Sequence, residues 1–345
     1  MYRNLATLLL LLGLLLTFAV GRGTASAGTL DEAIAKAKAY LASQQRSNDG
    51  HFQSTAGQDS RPEWHTAQAL WALEKVLGSL DPGTVSQSTY NSVCEAVYKA
   101  KGFLERRWSQ RGGQVGSTWD WEAIALAAAG SDLGGYLEEL KASLATLDPS
   151  GVSTTDVART LLVIAAAGGN AGDFKYGDGR TVVEVIYARQ DADSGHFGNL
   201  KYSVEWGGTS FTDDESNYVN THVWAVLALN AAGIPVPHAA KARDWLIGAQ
   251  NGDGSWGWAR GEAGDPDSTA AALRALAALG VGPDDQPVVK ALDYLKSCQN
   301  EDGGIKGFEG ASSSASDSEV LQALVALGLN PLEDSWNRVL TNLLG

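Results

Sequence analysis

Residues 245–280 read WLIGAQNGDGSWGWARGEAGDPDSTAAALRALAALG, and this stretch contains one complete repeating unit of the chain. The segment up to Gln250 is typical of the end of an amphipathic helix, and the Asn-, Asp- and Gly-rich residues after it are typical of a turn. The Ala- and Leu-rich residues 269–279 predict a second helix that ends at Gly280. The stretch therefore predicts a helical hairpin.

Versions of this hairpin recur along the chain. Glycines that close an Ala- and Leu-rich helix follow one another at intervals of roughly 50 residues, which is typical of a repeat fold. The glutamine that ends the first helix, for example Gln250, is usually followed by a polar turn and an aromatic residue such as Trp256. The closing glycines are Gly78, Gly130, Gly168, Gly233, Gly280 and Gly328. The predicted hairpins pair residues 30–45 with 63–77, 90–108 with 119–129, 137–147 with 155–167, 182–190 with 219–232, 245–250 with 269–279 and 288–299 with 316–327, and residues 333–344 predict a final helix.

The two helices of each hairpin differ in polarity. First helices carry charges such as Lys241 and Lys290 on one side, whereas second helices such as residues 269–279 are apolar nearly all round. Because a helix that is apolar all round must be buried on most faces, the second helices belong inside the first. We predict an all-α fold, an α/α toroid (α6/α6 barrel) of about six hairpins with a central cavity.

The first 27 residues predict a signal peptide. Arg3 precedes an apolar run, and residues 25–27 (ASA) form a small-residue pattern typical of signal-peptidase cleavage near Ala27. Residues 28–345 are then expected to form a single toroid domain that is secreted or held in the cell envelope. No membrane insertion is expected after cleavage.

The chain is strongly acidic, with a formal net charge of −14 that becomes −16 when Arg3 and Arg22 are removed with the signal peptide. Such a surface repels phosphate backbones and anionic lipids, so binding to nucleic acid is not expected.

The glutamine–turn–aromatic segments and the DSTA sequence at residues 267–270 resemble the prenyltransferase/squalene-cyclase repeat family. The resemblance covers essentially all of the chain after residue 27. It implies the terpenoid cyclase-like α/α toroid, a scaffold that cobalamin carriers and complement thioester domains also use. A shared fold does not by itself carry a function over.

Residues 265–270 (DPDSTA) are similar to the acid motif of squalene–hopene-type cyclases. The resemblance implies that Asp267 donates a proton to an alkene or epoxide and that Asp265 is its hydrogen-bonding neighbour. Such an acid must stay protonated, which requires a raised pKa. Ser268 stands where the family has a third aspartate.

A structural interpretation of Asp267 competes with the catalytic one. Counting back the same number of residues from the closing glycines reaches Ser117, Thr155, Asn220 and Asp267. All four are residue types that cap helix N-termini. The sequence therefore favours a helix cap at Asp267.

A metal site is not expected. The zinc-dependent prenyltransferases of this family use an Asp-x-Cys at this helix start and a histidine in the next hairpin. Here Asp267 occupies the cysteine position, and residues 288–327 contain no histidine. No cofactor is predicted.

Aromatic residues at or near the starts of the second helices are the candidate ligand-binding residues. The insert at residues 199–216, predicted to be irregular, adds Trp206 and several carboxylates. It is either a lid or ligand contact over the cavity mouth or a solvated loop held by a few aromatic side chains. The ligand-binding candidates are Trp71, Trp119, Trp121, Trp206, Tyr218, His222, Trp224, Trp256 and Trp258.

The sequence leaves three functions open. The favoured one is a non-catalytic binding or recognition module that takes a small apolar molecule, a cobalamin-like ligand or a peptide. The second is an isoprenoid cyclase with Asp267 as general acid. The third is a carbohydrate-active enzyme, which would need two carboxylates at a suitable separation. The carboxylate candidates for such a pair are Asp120, Glu122, Asp214, Asp265 and Asp267.

Overall fold

The computed structural model describes residue 52 and residues 62–80, 87–116, 118–206, 209–308, 310–331 and 336. The inner helices are α1 (Pro62–Ser79), α3 (Thr118–Ala128), α5 (Thr154–Ala166), α7 (Val219–Ala231), α9 (Pro266–Ala278) and α11 (Ser314–Ala326). The outer helices are α2 (Gln87–Trp108), α4 (Tyr136–Leu144), α6 (Val182–Ala188), α8 (Ala239–Gly248) and α10 (Gln286–Ser297). The signal peptide and the helices predicted at residues 30–45 and 333–344 lie outside the described residues.

The inner helices form a closed ring. Each packs against the next, from α1 through α3, α5, α7 and α9 to α11, and α11 packs back against α1. Outer helices lie against this ring: α2 contacts α1 and α3, α6 contacts α5, and α8 and α10 contact α9. The predicted all-α toroid is confirmed.

Small side chains allow the inner helices to approach one another closely. In α9, Ala270, Ala272, Leu273, Ala275 and Leu276 are all fully buried. Such residues lose little side-chain entropy in a helix and bury apolar surface on several faces at once. This composition explains why the second helix of each hairpin occupies the inside.

Most of the closing glycines end their helices as the sequence predicts. Gly280 has a φ of 83°, a left-handed conformation that glycine adopts without strain. The N–H of Val281 then reaches back to the carbonyl oxygen of Leu276 at 3.0 Å, which satisfies the end of α9. Gly78 is an exception, because α1 continues to Ser79. The other glycines with this conformation are Gly130, Gly168, Gly233 and Gly328.

Among the described residues, a side chain on the inner helix accepts a hydrogen bond from the backbone of the preceding turn in four hairpins. Trp256 N donates to Thr269 Oγ1 at 3.1 Å, and the Trp256 side chain is fully buried. We call this contact the turn latch, because it fixes the turn on the start of the inner helix. The other three latches are Phe52 N to Thr66 Oγ1 (2.9 Å), Phe197 N to His222 Nδ1 (3.1 Å) and Ile305 N to Asp317 Oδ1 (2.7 Å).

The repeated glutamine joins one hairpin to the next. Gln250 Nε2 donates to Gly254 O in its own turn at 2.9 Å and to Pro287 O, at the start of α10, at 2.8 Å. Gln190 does the same with Gly195 O and Pro237 O. In these two hairpins the glutamine makes a contact between hairpins, whereas Gln299 Nε2 is buried without a hydrogen-bond partner among the described residues.

The insert before α7 is an antiparallel hairpin, so the expectation of an irregular loop is wrong. Strand β1 (Lys201–Trp206) pairs with β2 (Thr209–Asp214), and Tyr202 lies opposite Asp213. Alternation of Tyr202, Val204 and Trp206 was the period-two signal for this strand.

Among the described residues, no helix is both long enough and apolar enough to cross a membrane.

Replacing Thr269 by Val tests the turn latch. The Trp256 N–H would then be buried without an acceptor, so we expect the free energy of unfolding in urea to fall by about 1–3 kcal/mol. Thr160→Val is the matched control, because the buried Thr160 hydroxyl donates only to Asp156 O within its own helix. Equal losses in the two variants would contradict the latch.

Candidate functional site in the ring interior

Three tryptophans from different inner helices meet inside the ring. The ring centroids of Trp71 and Trp121 are 6.4 Å apart, and those of Trp121 and Trp224 are 5.2 Å apart. Helices α3 and α7, which carry Trp121 and Trp224, are separated in the ring by α5. These side chains must therefore project toward the ring axis. All three remain partly accessible to solvent, and we call them the tryptophan cluster.

An arginine from α9 lies on the tryptophan cluster. The Arg274 guanidinium carbon is 5.0 Å from the Trp71 ring centroid and 5.6 Å from that of Trp224. Arg274 Nη1 also forms a buried ion pair with Glu319 Oε2 on α11 at 2.5 Å. Aromatic faces attract cations, so the rings and the carboxylate together hold the guanidinium in place.

Lys75 adds a second cation. Its Nζ lies 5.3 Å from the Trp71 ring centroid. The side chain is open to solvent, yet burial among protein atoms lowers the pKa of Lys75 to about 8. Solvent contact combined with enclosure is the property expected of a group that lines an internal space. The amine stays mostly protonated at neutral pH.

Asp267 is not the N-cap of α9, which corrects the structural interpretation made from the sequence. The cap is Asp265, whose Oδ1 accepts from Ser268 N at 2.8 Å. Asp267 is the second residue of the helix. Counting back from the closing glycines reaches a position two residues after the true N-cap. The caps of α5 and α9 are Ser153 and Asp265, whereas the count reaches Thr155 and Asp267.

The environment of Asp267 favours its neutral form. Burial is the main cause that raises the pKa of Asp267 to about 7; a hydrogen bond with Ser316 opposes it, and the nearby carboxylates of Glu319 and Asp265 add smaller increases. Asp267 Oδ1 is buried and has no hydrogen-bond partner among the described residues. The group can therefore hold a proton at neutral pH and offer it to a ligand.

Asp267 and Arg274 lie at different depths of the ring interior. They are seven residues apart on α9, which corresponds to roughly 10 Å along the helix axis. The inner helices run in the same direction in successive hairpins, so Asp267 lies toward the end of the ring where the turns and the insert are located. The tryptophan cluster and its cations lie deeper.

Aromatic side chains from the insert side surround the mouth. Tyr218 donates its hydroxyl to Asp213 Oδ1 at 2.6 Å, which ties β2 to the start of α7. The rings of Tyr218 and Trp258 are 6.4 Å apart, and Trp258 is 52% exposed. Both therefore stay candidates for ligand contact at the mouth. The Trp206 side chain lies outside the described part of the chain.

Three other sequence candidates do not reach the interior, so their predicted ligand contact is corrected. Trp256 is fully buried and donates its indole N–H to Leu246 O at 2.8 Å. His222 is fully buried as a turn latch, and burial lowers its pKa to about 3. Trp119 packs beside Trp108 of the outer helix α2 and under Arg107.

Four of the five carboxylates proposed for glycoside hydrolysis are engaged in structural contacts, and Asp265, the cap of α9, is one of them. Asp120 accepts from the Tyr136 hydroxyl at 2.6 Å and from Arg159 Nε at 3.0 Å. Glu122 is fully buried and accepts from Arg107 Nε at 2.8 Å. Asp214 on β2 pairs with Lys201 on β1, within the insert, at 2.6 Å. These contacts do not favour a freely available acid pair.

The inward-facing charges were missed by the sequence analysis. Arg274 is the only charge within the otherwise apolar residues 269–279, and this isolation was the available signal, whereas Lys75 adjoins Glu74 and Glu319 follows Asp317 by two residues. Within the described ranges, no group of three or more His, Cys, Asp or Glu residues could hold a metal ion.

The chain belongs to the prenyltransferase α-α toroid domain family, whose model matches residues 136–340. It is 33% identical over 172 residues to squalene–hopene cyclase of Zymomonas mobilis subsp. mobilis, covering 46% of this chain and 23% of that protein. It is 37% identical over 101 residues to drimenyl diphosphate synthase of Streptomyces showdoensis, covering 28% of this chain and 19% of the synthase. The chain thus spans about a quarter or less of the length of these two relatives.

Solved structures confirm the fold. The type II terpene cyclase MstE from Scytonema, in complex with merosterolic acid A, superposes with a TM-score of 0.54 at 19% identity, covering 88% of this chain and 98% of that one. The GH76A α-1,6-mannanase from Salegentibacter sp. HEL1_6 gives a TM-score of 0.56 at 12% identity, covering 86% of this chain and 98% of the mannanase. At these identities the likeness extends to the toroid alone.

The pH dependence of stability tests the state of Asp267. An aspartate whose pKa is raised on folding stabilises the protein at low pH, and this contribution is lost as pH rises from about 4 to about 7. Asp267→Asn should therefore match the wild type near pH 4 and exceed its unfolding free energy at pH 8 by on the order of 1–3 kcal/mol.

Asp265→Ala is the matched control for this measurement. Loss of a true helix cap lowers the unfolding free energy by about 1 kcal/mol, so this variant should be less stable than wild type at pH 8. An Asp267→Asn variant that is also destabilised at pH 8 would contradict the raised pKa assigned to Asp267.

Proposed function

We propose that the chain is a ligand-binding module whose ring interior takes a slender, largely apolar small molecule. The tryptophan cluster is the observation that carries this proposal. Its rings are enclosed by the inner helices, yet they stay partly open to solvent. Apolar surface held in this way gains free energy when a ligand displaces the water, as in most small-molecule sites.

The dimensions of the interior favour a slender molecule over a peptide or a cobalamin-like macrocycle. The ring centroids of Trp121 and Trp224 are 5.2 Å apart. The space between the inner helices is therefore narrow at the depth of these two side chains. A long molecule entering past Tyr218 and Trp258 could extend from Asp267 to the tryptophan cluster. If residues 1–27 direct export, as the sequence predicts, the ligand is one met outside the cytoplasm.

Binding of the neutral fluorescent probe N-phenyl-1-naphthylamine tests this proposal. Trp224→Leu removes one face of the tryptophan cluster, so we expect its dissociation constant to rise by about tenfold, which corresponds to the loss of roughly 1.4 kcal/mol of aromatic packing. Trp119→Leu is the matched control, since Trp119 packs against the outer helix and should leave the affinity unchanged. Equal affinities in wild type and Trp224→Leu would refute binding at the cluster.

Asp267 favours a second candidate, a cyclase that protonates the alkene end of an isoprenoid. The sequence relatives include squalene–hopene cyclase and drimenyl diphosphate synthase, and Asp267 has the enclosed, proton-holding carboxyl that such chemistry needs. Two features oppose it. Ser268 replaces a carboxylate of the family motif, and Arg274 already occupies the Trp71 and Trp224 faces that would stabilise a carbocation.

Incubation with squalene and with farnesyl diphosphate separates the two candidates. The binding proposal expects no cyclic product by gas chromatography–mass spectrometry. A product that disappears in Asp267→Asn, but persists in the exposed-turn variant Asp193→Asn, would establish the cyclase instead.

A further inference from the structure

The charges around the tryptophan cluster do not balance. Arg274 is paired with Glu319 at 2.5 Å. Lys75 forms no salt bridge with any described residue, although Glu319 lies close enough to affect its pKa. The cluster therefore brings together two cations and one anion. Lys75 is accessible to solvent and has no counterion of its own, so an anionic ligand that reaches it gains a charge-assisted hydrogen bond.

We infer that the ring interior contains an anion subsite, formed by Lys75 and Arg274, that binds the acidic end group of the ligand. This inference rests on the proposed function and specifies its ligand as an apolar chain or ring system that ends in an oxyanion.

Both cations stand beside the same aromatic ring. Lys75 Nζ is 5.3 Å and the Arg274 guanidinium carbon 5.0 Å from the Trp71 centroid. An oxyanion beside Trp71 could therefore accept hydrogen bonds from an ammonium and from a guanidinium, and charge-assisted bonds of this kind are the strongest available to a side chain. The adjacent tryptophans would hold the apolar part of the same molecule.

Two buried carboxamides lie on the helix faces that carry these charges. Gln322 follows Glu319 by one turn on α11, is 1% exposed, and has no hydrogen-bond partner for either Oε1 or Nε2 among the described residues. Gln68 precedes Trp71 by one turn on α1, and its Oε1 is also unpartnered. Buried amides without partners indicate a place where polar groups of a ligand complete the bonding.

The other end of the interior suits the uncharged part of such a ligand. Asp267 lies roughly 10 Å from Arg274 along α9, and its raised pKa keeps the carboxyl largely neutral below about pH 7. The mouth therefore presents a hydrogen-bond donor, whereas the depth presents positive charge. This polarity orients an amphiphilic anion with its acidic group inward.

Comparison of decanesulfonate with 1-decanol tests the subsite, because the two probes share an alkyl chain and differ in charge. By isothermal titration at neutral pH, we expect the wild type to bind decanesulfonate about 10- to 100-fold more tightly than decanol, and Lys75→Met to lose most of this difference. Lys75→Met keeps the length of the side chain, and Lys175→Met, at an exposed position on the outside, is the matched control. Decanoate in place of the sulfonate shows whether a carboxylate is also accepted.

The outcomes separate the subsite from the proposed function. Equal affinities for the two probes in the wild type, or an unchanged sulfonate affinity in Lys75→Met, would overturn the anion subsite. If decanol binding then still weakens in Trp224→Leu, the apolar site stands without it. Failure of every probe to bind would overturn both. The comparison within the wild type needs no variant, so it holds even if Lys75→Met folds poorly.

Discussion

The hydrogen bond between a turn and the inner helix that follows it is the contact on which the ring depends. It is buried, and it joins residues 12 to 25 positions apart, as in Ile305 to Asp317 and Phe197 to His222. Because it fixes where α1, α7, α9 and α11 begin relative to their turns, it also sets the depth of the inward-facing side chains on these four helices. Thr, His and Asp all serve as the acceptor, so the requirement is for a lone pair at that position and not for one residue type.

A ring of apolar helices has no structural need for charge on its axis. Lys75 and Arg274 nevertheless lie beside the Trp71 ring, Arg274 is paired with Glu319, and Asp267 lies near Glu319. Replacing buried ionic groups by apolar residues of similar volume often leaves the stability of the fold unchanged or raises it. These groups are therefore better explained by what the interior binds than by stability. The departure from a uniform apolar lining is therefore the strongest indication of function in the molecule.

The sequence predicts the hairpins well because their signals are local. Gly280, Gln250 and Trp256 each act within one hairpin or at its junction with the next, so their roles follow from short-range pattern. The interior could not be predicted in the same way. Whether Trp119 or Trp121 faces the ring axis depends on the rotation of α3 within the ring. Whether Asp267 has a structural role depends on which residue caps α9, and the cap is Asp265.

The central claim is that the ring interior is a ligand site with a positively charged end. The most direct test is a crystal structure of the protein crystallised with decanesulfonate. The account predicts sulfonate density in contact with Lys75 and Arg274, with the alkyl chain running past the tryptophan cluster toward Asp267. Density for the additive only on the outer surface, with the interior filled by water alone, would contradict it.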